Sequence, residues 1–122
     1  IAKYNVVSAP VAARMALGAA AASGSDIAVS VTGVAGPTGG DEVRPVGTVY
    51  LGAARGDTVY VQKLFVSRPD RALVRARAAQ AALALALRLA QGKVPAHTKP
   101  LAASEQHSAA ALDALNEAFL AE

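Results

Sequence analysis

From Asp26 to Phe65 the chain passes through three short apolar segments with only turn-forming residues between them, and this feature most narrows the fold. Asp26-Ile27-Ala28-Val29-Ser30-Val31-Thr32 is rich in β-branched residues and bounded by turn signals, so it reads as a buried strand. Val46 to Ala53 is a second strand and Thr58 to Phe65 a third. Arg55-Gly56-Asp57 between the last two is a hairpin turn, which makes that pair antiparallel. Tyr50 and Tyr60 are expected to form a cross-strand pair in this hairpin.

Helical signals flank the strands. Ser8 is placed as an N-cap with Pro10 in the first turn. Val11, Met15 and Ala19, with Ala12 and Ala16 beside them, form an apolar stripe to about Ala22, and Ser23-Gly24-Ser25 ends the helix. Asp70 caps a long helix to about Gln91, stopped by Gly92. Its "ALALALRLA" alternates like a strand, but Ala, Leu and Arg are strong helix formers and the segment is too long for a typical strand. Ser104 to Leu120 is a last helix, with Leu112, Leu115, Phe119 and Leu120 on one side. Helices around a strand and a hairpin give an α/β fold, or an α+β one with the same layers. Three strands are few for a sheet with two covered faces, which leaves the sheet incomplete at its N-terminal side.

A chain of 122 residues fits one domain with a core of its own. Hydrophobic residues make up 53% of it, with no Trp and few aromatics, so the core is aliphatic. The absence of cysteine excludes disulfides, thiolate nucleophiles and thiolate metal sites. The longest apolar run, Ala78 to Leu87, is broken by Gln80 and is too short and too Ala-rich to cross a bilayer. With no signal-peptide pattern either, a cytoplasmic location and no membrane partner are expected. Up to residue 92 ten Lys/Arg face five Asp/Glu, whereas the remainder carries two against four. The basic part suits an anionic partner, but no basic run has interleaved aromatics, so nucleic acid is not expected.

The loop Thr32-Gly33-Val34-Ala35-Gly36-Pro37-Thr38-Gly39-Gly40 follows a strand directly. In open α/β sheets ligands bind at such loops, and glycine lets backbone N–H groups approach an anion. Thr32 and Thr38 add hydroxyls. No Gly-Lys-Ser/Thr follows, so the loop is not a P-loop, and its glycine spacing is not that of a dinucleotide fingerprint. By composition alone it is equally an ordinary wide turn that needs positive φ. Arg71 and Arg75 lie four residues apart at the start of the long helix, on a stripe continuing through Ala78, Ala82, Leu85 and Leu89. Arg77, Gln80, Ala84, Arg88 and Gln91 form the opposite face. Arginines on an inward stripe require a partner. The helix N-terminus favours an anion there; pairing of Arg71 with Asp26 or Asp57, or snorkelling to water, is the alternative. His97 and His107 lack metal-ligand spacing, Asp41-Glu42 reads as a solvated loop tip, and Ser30 has no histidine near it for a triad.

These residues resemble the CinA C-terminal domain family, the bacterial nicotinamide-nucleotide amidases. The resemblance is carried by "YNVVSAPVAARMALGA", "DIAVSVTGVAGPTGGDEVRPVGTVYLG" and "DRALVRARAAQAAL", and covers Tyr4 to about Leu89. It implies a three-layer α/β/α sandwich over residues 1–92, a linker over 93–103, and a C-terminal helix over 104–122 outside the family pattern. It also implies hydrolysis of the carboxamide of nicotinamide mononucleotide to nicotinic acid mononucleotide and ammonia, with no metal and no cofactor. Thr32, Gly33, Val34, Ala35, Gly36, Thr38, Gly39, Arg71 and Arg75 would then hold the nucleotide. Asn5 departs from the family's usual glycine, and Ser67-Arg68-Pro69 from the tight glycine before Asp-Arg. The family's presumed nucleophile and its activator lie in a segment upstream of the matched part, so no catalytic residue is assigned within this chain. The alternative is a non-catalytic nucleotide- or phosphate-binding module or an oligomerisation module, and a homo-oligomer fits either reading.

Overall fold

The computed structural model describes residues 4–36, 39–67 and 70–121. Helix α1 (Ala9–Ser23) leads into strand β1 (Ile27–Gly33), the hairpin β2 (Thr48–Arg55) and β3 (Thr58–Phe65), and the long helix α2 (Arg71–Ala90). A short strand β4 (Lys99–Ala102), one 3-10 turn (Ala103–Glu105) and helix α3 (Ala109–Leu120) follow. The strands pair in chain order, β1-β2-β3-β4, every pair antiparallel. Alternation along each strand divides the core between the two faces of the sheet. Tyr50, Ala54, Val59, Val61 and Leu101 pack under α1 and α3, whereas Val49, Leu51, Ala53 and Val66 pack under α2. The result is the α/β/α sandwich expected from the sequence.

The caps are those the sequence announces. Ser8 Oγ accepts the Val11 N–H, Asp70 accepts the Leu73 N–H at 2.9 Å, and Gly24 ends α1 at φ 68°. The residue that sets the spacing of the layers is Gly52. A Cβ there would lie 2.4 Å from the Ala12 carbonyl oxygen and 2.8 Å from Ser30 Oγ. With no side chain in the way α1 comes down on the sheet, and Ser30 Oγ donates to the Ala12 carbonyl at 2.6 Å.

This approach corrects one expectation. The face of α1 toward the sheet is Ala9, Ala12, Ala13, Ala16 and Leu17, while Met15 and Ala19 are exposed. Close packing selects the smaller side chains and turns the Val11–Met15–Ala19 stripe outward. A second correction concerns the tyrosines: Tyr50 pairs with Lys63 and Tyr60 with Ala53. The hairpin register puts Tyr50 under α1 and α3 and Tyr60 on the α2 side. Tyr50 instead meets Phe119 edge-on, with centroids 5.7 Å apart.

The segment expected as a linker contains β4, which covers the outer edge of β3. Pro100 hid it, because proline cannot donate to a ladder; at a sheet edge that loss costs little. The last helix starts at Ala109, capped by Ser108 Oγ on the Ala111 N–H, and Leu120 is exposed.

Gly52→Val should therefore cost about 1–3 kcal/mol, because the added methyls strike the backbone of α1. Chemical denaturation monitored by circular dichroism measures this, and an unchanged midpoint contradicts the account.

Candidate functional site

The loop between β1 and β2 is braced rather than loose. Val34 N–H donates to the Thr48 carbonyl at 2.9 Å, and Gly47 N–H to the Val34 carbonyl at 2.7 Å. Asp41 closes the loop tip as an Asx turn, accepting from Val43 N–H at 2.9 Å and Arg44 N–H at 2.6 Å. Two glycines are required by shape. Gly36 is buried at φ 87°, where a Cβ would lie 2.5 Å from Val46 Cγ1. Gly40 lets the backbone pass Val46 N, which a Cβ would approach to 2.5 Å.

Three neighbours converge on this loop. The arm before α1 arrives first: Thr32 Oγ1 donates to the Val6 carbonyl at 2.9 Å, and Arg44 Nε to the Val7 carbonyl at 2.5 Å. Asn5 shapes that arm, its Oδ1 accepting the Val7 N–H at 2.8 Å. From the opposite face comes the start of α2, where Arg71 Nη1 donates to the Gly36 carbonyl in a long bond of 3.4 Å. The third neighbour is indirect. Tyr4 OH donates to Asp113 Oδ1 on α3, which ties the arm to the C-terminal helix.

The glycine loop and the start of the long helix thus meet in space, as the sequence suggested. Thr32, Gly33, Val34, Ala35, Gly36 and Gly39 lie along the loop; Thr38 falls outside the described residues. Thr32 is buried with its hydroxyl turned to Val6, so it holds the arm. Both the N–H and the carbonyl of Val34 are engaged in bracing the loop.

The arginines correct the expected helix face. Val74, Ala78, Leu85 and Leu89 form the buried side of α2, while Arg71 and Arg75 are both exposed. At about 100° per residue Arg71 sits at the margin of the buried stripe, in the first turn, where it reaches Gly36. Arg75 is turned further round, toward water. Arg44 was not singled out in the sequence, yet it links loop and arm; the available signal was that no other Lys or Arg occurs between Arg14 and Arg55.

The other candidates have structural roles. Ser30 is bonded to α1, Asp41 shapes its turn, and His97 and His107 are exposed. Among the described residues no cluster of three metal-ligating side chains occurs, and no helix is long and apolar enough to cross a membrane. A cavity of about 730 Å³ lies at the other end of the sheet, with Leu17, Ala20, Ile27, Ala54 and Ala103 in its lining. Its lining mixes alanines with Ser25, Asp26, Arg55 and Gln106, and Arg55 is bonded to the Leu89 carbonyl at the end of α2. The glycine loop, where Arg44 and Arg71 are held beside bare backbone, is the stronger candidate.

Two expectations follow. Gly36→Ala forces a left-handed φ on an L-residue and a collision with Val46, so it should destabilise the loop by about 1–3 kcal/mol. Faster amide exchange at residues 33–36 and 46–48 would report it. The Tyr4 phenol is pushed up to about 12, first by its hydrogen bond to Asp113, then by burial and by the negative charge of Asp113. The folded value lies above the ordinary one near 10, so the stabilisation is complete below pH 10 and is lost as pH rises through about 12. Tyr4→Phe should remove that alkaline transition from a pH titration of α3 docking.

The model of the CinA C-terminal domain matches residues 1–90. The chain is 45% identical over 86 residues to the nicotinamide-nucleotide amidohydrolase PncC of Enterobacter agglomerans, covering 70% of this chain and 52% of that protein. It is 52% identical over 75 residues to a CinA-like protein of Geobacter sp. (strain M21), covering 62% of this chain and 18% of the relative. Among solved structures, a CinA superfamily protein from Escherichia coli superposes with a TM-score of 0.66 at 35% identity, over 72% of this chain and 51% of the other. A competence/damage-inducible protein from Agrobacterium tumefaciens gives 0.63 at 33% identity, over 75% and 55%. The chain spans about half the length of the amidohydrolase relative.

Proposed function

We propose that this chain, which belongs to the CinA C-terminal domain family, is the nucleotide-holding part of an amidohydrolase acting on nicotinamide mononucleotide. The reading is supported by the name of the amidohydrolase relative and by one observation of geometry: the Arg71 guanidinium bonded to Gly36 in the glycine loop. A guanidinium carries five N–H donors in a planar fork, so bonding one carbonyl leaves others for a phosphate. The bond to Gly36 also aims the group along the loop. Gly39, exposed at φ 101°, keeps the loop surface free of side chains, and Ala35 adds only a methyl. Arg75, four residues on, adds positive charge near the same helix end.

In this reading the phosphate rests at the start of α2 against the glycine loop, and the nicotinamide ring extends away from it. Amide hydrolysis consumes one water and gives a carboxylate and ammonia. The described residues bind and orient the nucleotide, and the nucleophile belongs to the upstream segment that the family resemblance implies.

Calorimetry with nicotinamide mononucleotide and with the phosphate-free nucleoside separates phosphate recognition from ring recognition. The nucleotide should bind more tightly, and more weakly as salt rises. Because Arg71 is exposed, Arg71→Ala should cost about 1.5 kcal/mol, roughly tenfold in Kd, for the nucleotide and nothing for the nucleoside. Equal binding of the two ligands, or an Arg71→Ala variant that binds normally, sinks the reading. Ammonia release by this chain alone would move the nucleophile into the residues described above.

A further inference from the structure

Two consecutive carbonyls of the arm hold the two ends of the glycine loop. Val6 accepts from Thr32 Oγ1 at 2.9 Å, where β1 runs into the loop, and Val7 accepts from Arg44 Nε at 2.5 Å, where the loop returns toward β2. Gly36, Gly39 and Gly40 lie between these two points. Because the acceptors are neighbours in the chain, whatever moves the arm moves both ends of the loop together. Residues 4–8 belong to no helix or strand. Their own bonds are local: Asn5 Oδ1 accepts the Val7 N–H at 2.8 Å, and Ser8 Oγ donates to the Asn5 carbonyl at 2.7 Å. Such bonds fix the bend of the arm and leave its placement to its neighbours. Helix α1 holds one end. At the other end the Tyr4 hydroxyl donates to Asp113 Oδ1 on α3, and Tyr4 and Val7 pack against the core cluster that contains Leu112, Leu115 and Phe119.

We propose that Tyr4 and Asp113 are positioning residues for the glycine-loop site, and that α3, which lies beyond the family match at residues 1–90, sets the affinity of that site for a phosphate-bearing ligand. The identity of the ligand rests on the nucleotide reading above. Helix α3 reaches the loop by two routes. Asp113 acts through Tyr4 and the arm. Phe119 meets Tyr50 edge-on with centroids 5.7 Å apart, and Tyr50 is the cross-strand neighbour of Thr32 on β1. Both routes end at Thr32. Asp113 is half-buried, and a hydroxyl donating to a carboxylate makes a charge-assisted bond, stronger than a neutral one. The arm also controls charge. Arg44 spends its Nε on Val7, so the position of that carbonyl decides where the other N–H groups of the guanidinium point. A shift of the arm therefore changes the shape of the loop and the placing of a cation beside it at once. With Tyr4 released, the arm is held at one end only, and a ligand has to order it on binding, which costs affinity.

Calorimetry of the full chain with nicotinamide mononucleotide, against the phosphate-free nucleoside, reads the affinity. Tyr4→Phe and Asp113→Ala should each weaken nucleotide binding about fivefold, within the range by which residues linking two regions modulate binding. The double variant should lose no more than either single one, because both remove the same bond. Asp113→Asn keeps an acceptor for the phenol and should bind within about twofold of the parent. Amide exchange locates the effect. In Tyr4→Phe the Val34 and Gly47 N–H groups that brace the loop should exchange faster, while the Ala103 N–H, bonded to the Asp57 carbonyl at 2.7 Å at the far end of the sheet, keeps its rate. Should the parent bind neither ligand, or both alike, the nucleotide reading fails and exchange alone decides the coupling. Unchanged exchange at Val34 and Gly47 overturns the proposal, as does an equal acceleration at Ala103, which reports general loosening. A Tyr4→Phe variant that binds the nucleotide as the parent does, or additive losses in the double variant, overturns it too. So does Asp113→Asn binding as weakly as Asp113→Ala, which assigns the effect to charge and not to the bond.

Discussion

The loop end of this molecule depends on how closely α1 can lie on the sheet, and the missing side chain of Gly52 sets that distance. The backbone of α1 rests where a Cβ would otherwise be, and the Ser30 hydroxyl fastens it there. A helix held at that height delivers the arm ahead of it, Asn5 to Ser8, to the level of the glycine loop. The carbonyls of Val6 and Val7 are then within reach of Thr32 and Arg44. A larger residue at position 52 would lift α1 and withdraw both acceptors at once.

Three arginines are used as ties to backbone carbonyls at the corners of the fold. Arg44 joins loop to arm, Arg71 joins α2 to the loop, and Arg55 joins the β2–β3 turn to the end of α2. A carbonyl is a neutral acceptor, so each guanidinium keeps its full charge while its position is fixed. At the two corners that flank the glycine loop this leaves oriented positive charge beside bare backbone. At the far end the same device closes a helix C-terminus, where a cation complements the dipole. One residue type thus sets charge beside the glycine loop at one end and closes a helix at the other.

The segment after the family match is part of the architecture. Strand β4 protects the edge of β3, and α3 buries Leu112, Leu115 and Phe119 against α1 and the sheet. Through Tyr4 and Asp113 this segment also holds the arm that braces the loop. Lys63 and Lys99, set over the rings of Tyr50 and Phe119, border the same aromatic contact.

The sequence by itself determined the helices, the first three strands, the caps and the hairpin, because these rest on local signals: Ser8, Asp70, Gly24, and the turn at Arg55-Gly56-Asp57. It also determined the family, since the glycine loop and its neighbours form one unbroken motif. It did not determine which face of α1 is buried. The larger residues pointed to Val11 and Met15, but the free space above Gly52 belongs to a strand that α1 meets only in three dimensions. Nor did it reveal β4, whose proline is tolerated only because the strand ends up at an edge. The meeting of Arg71 with Gly36 was legible as a possibility, and the pairing of Arg44 with Val7 was not. Each joins residues more than thirty positions apart, and such contacts are fixed by the packing of layers, which no local pattern encodes.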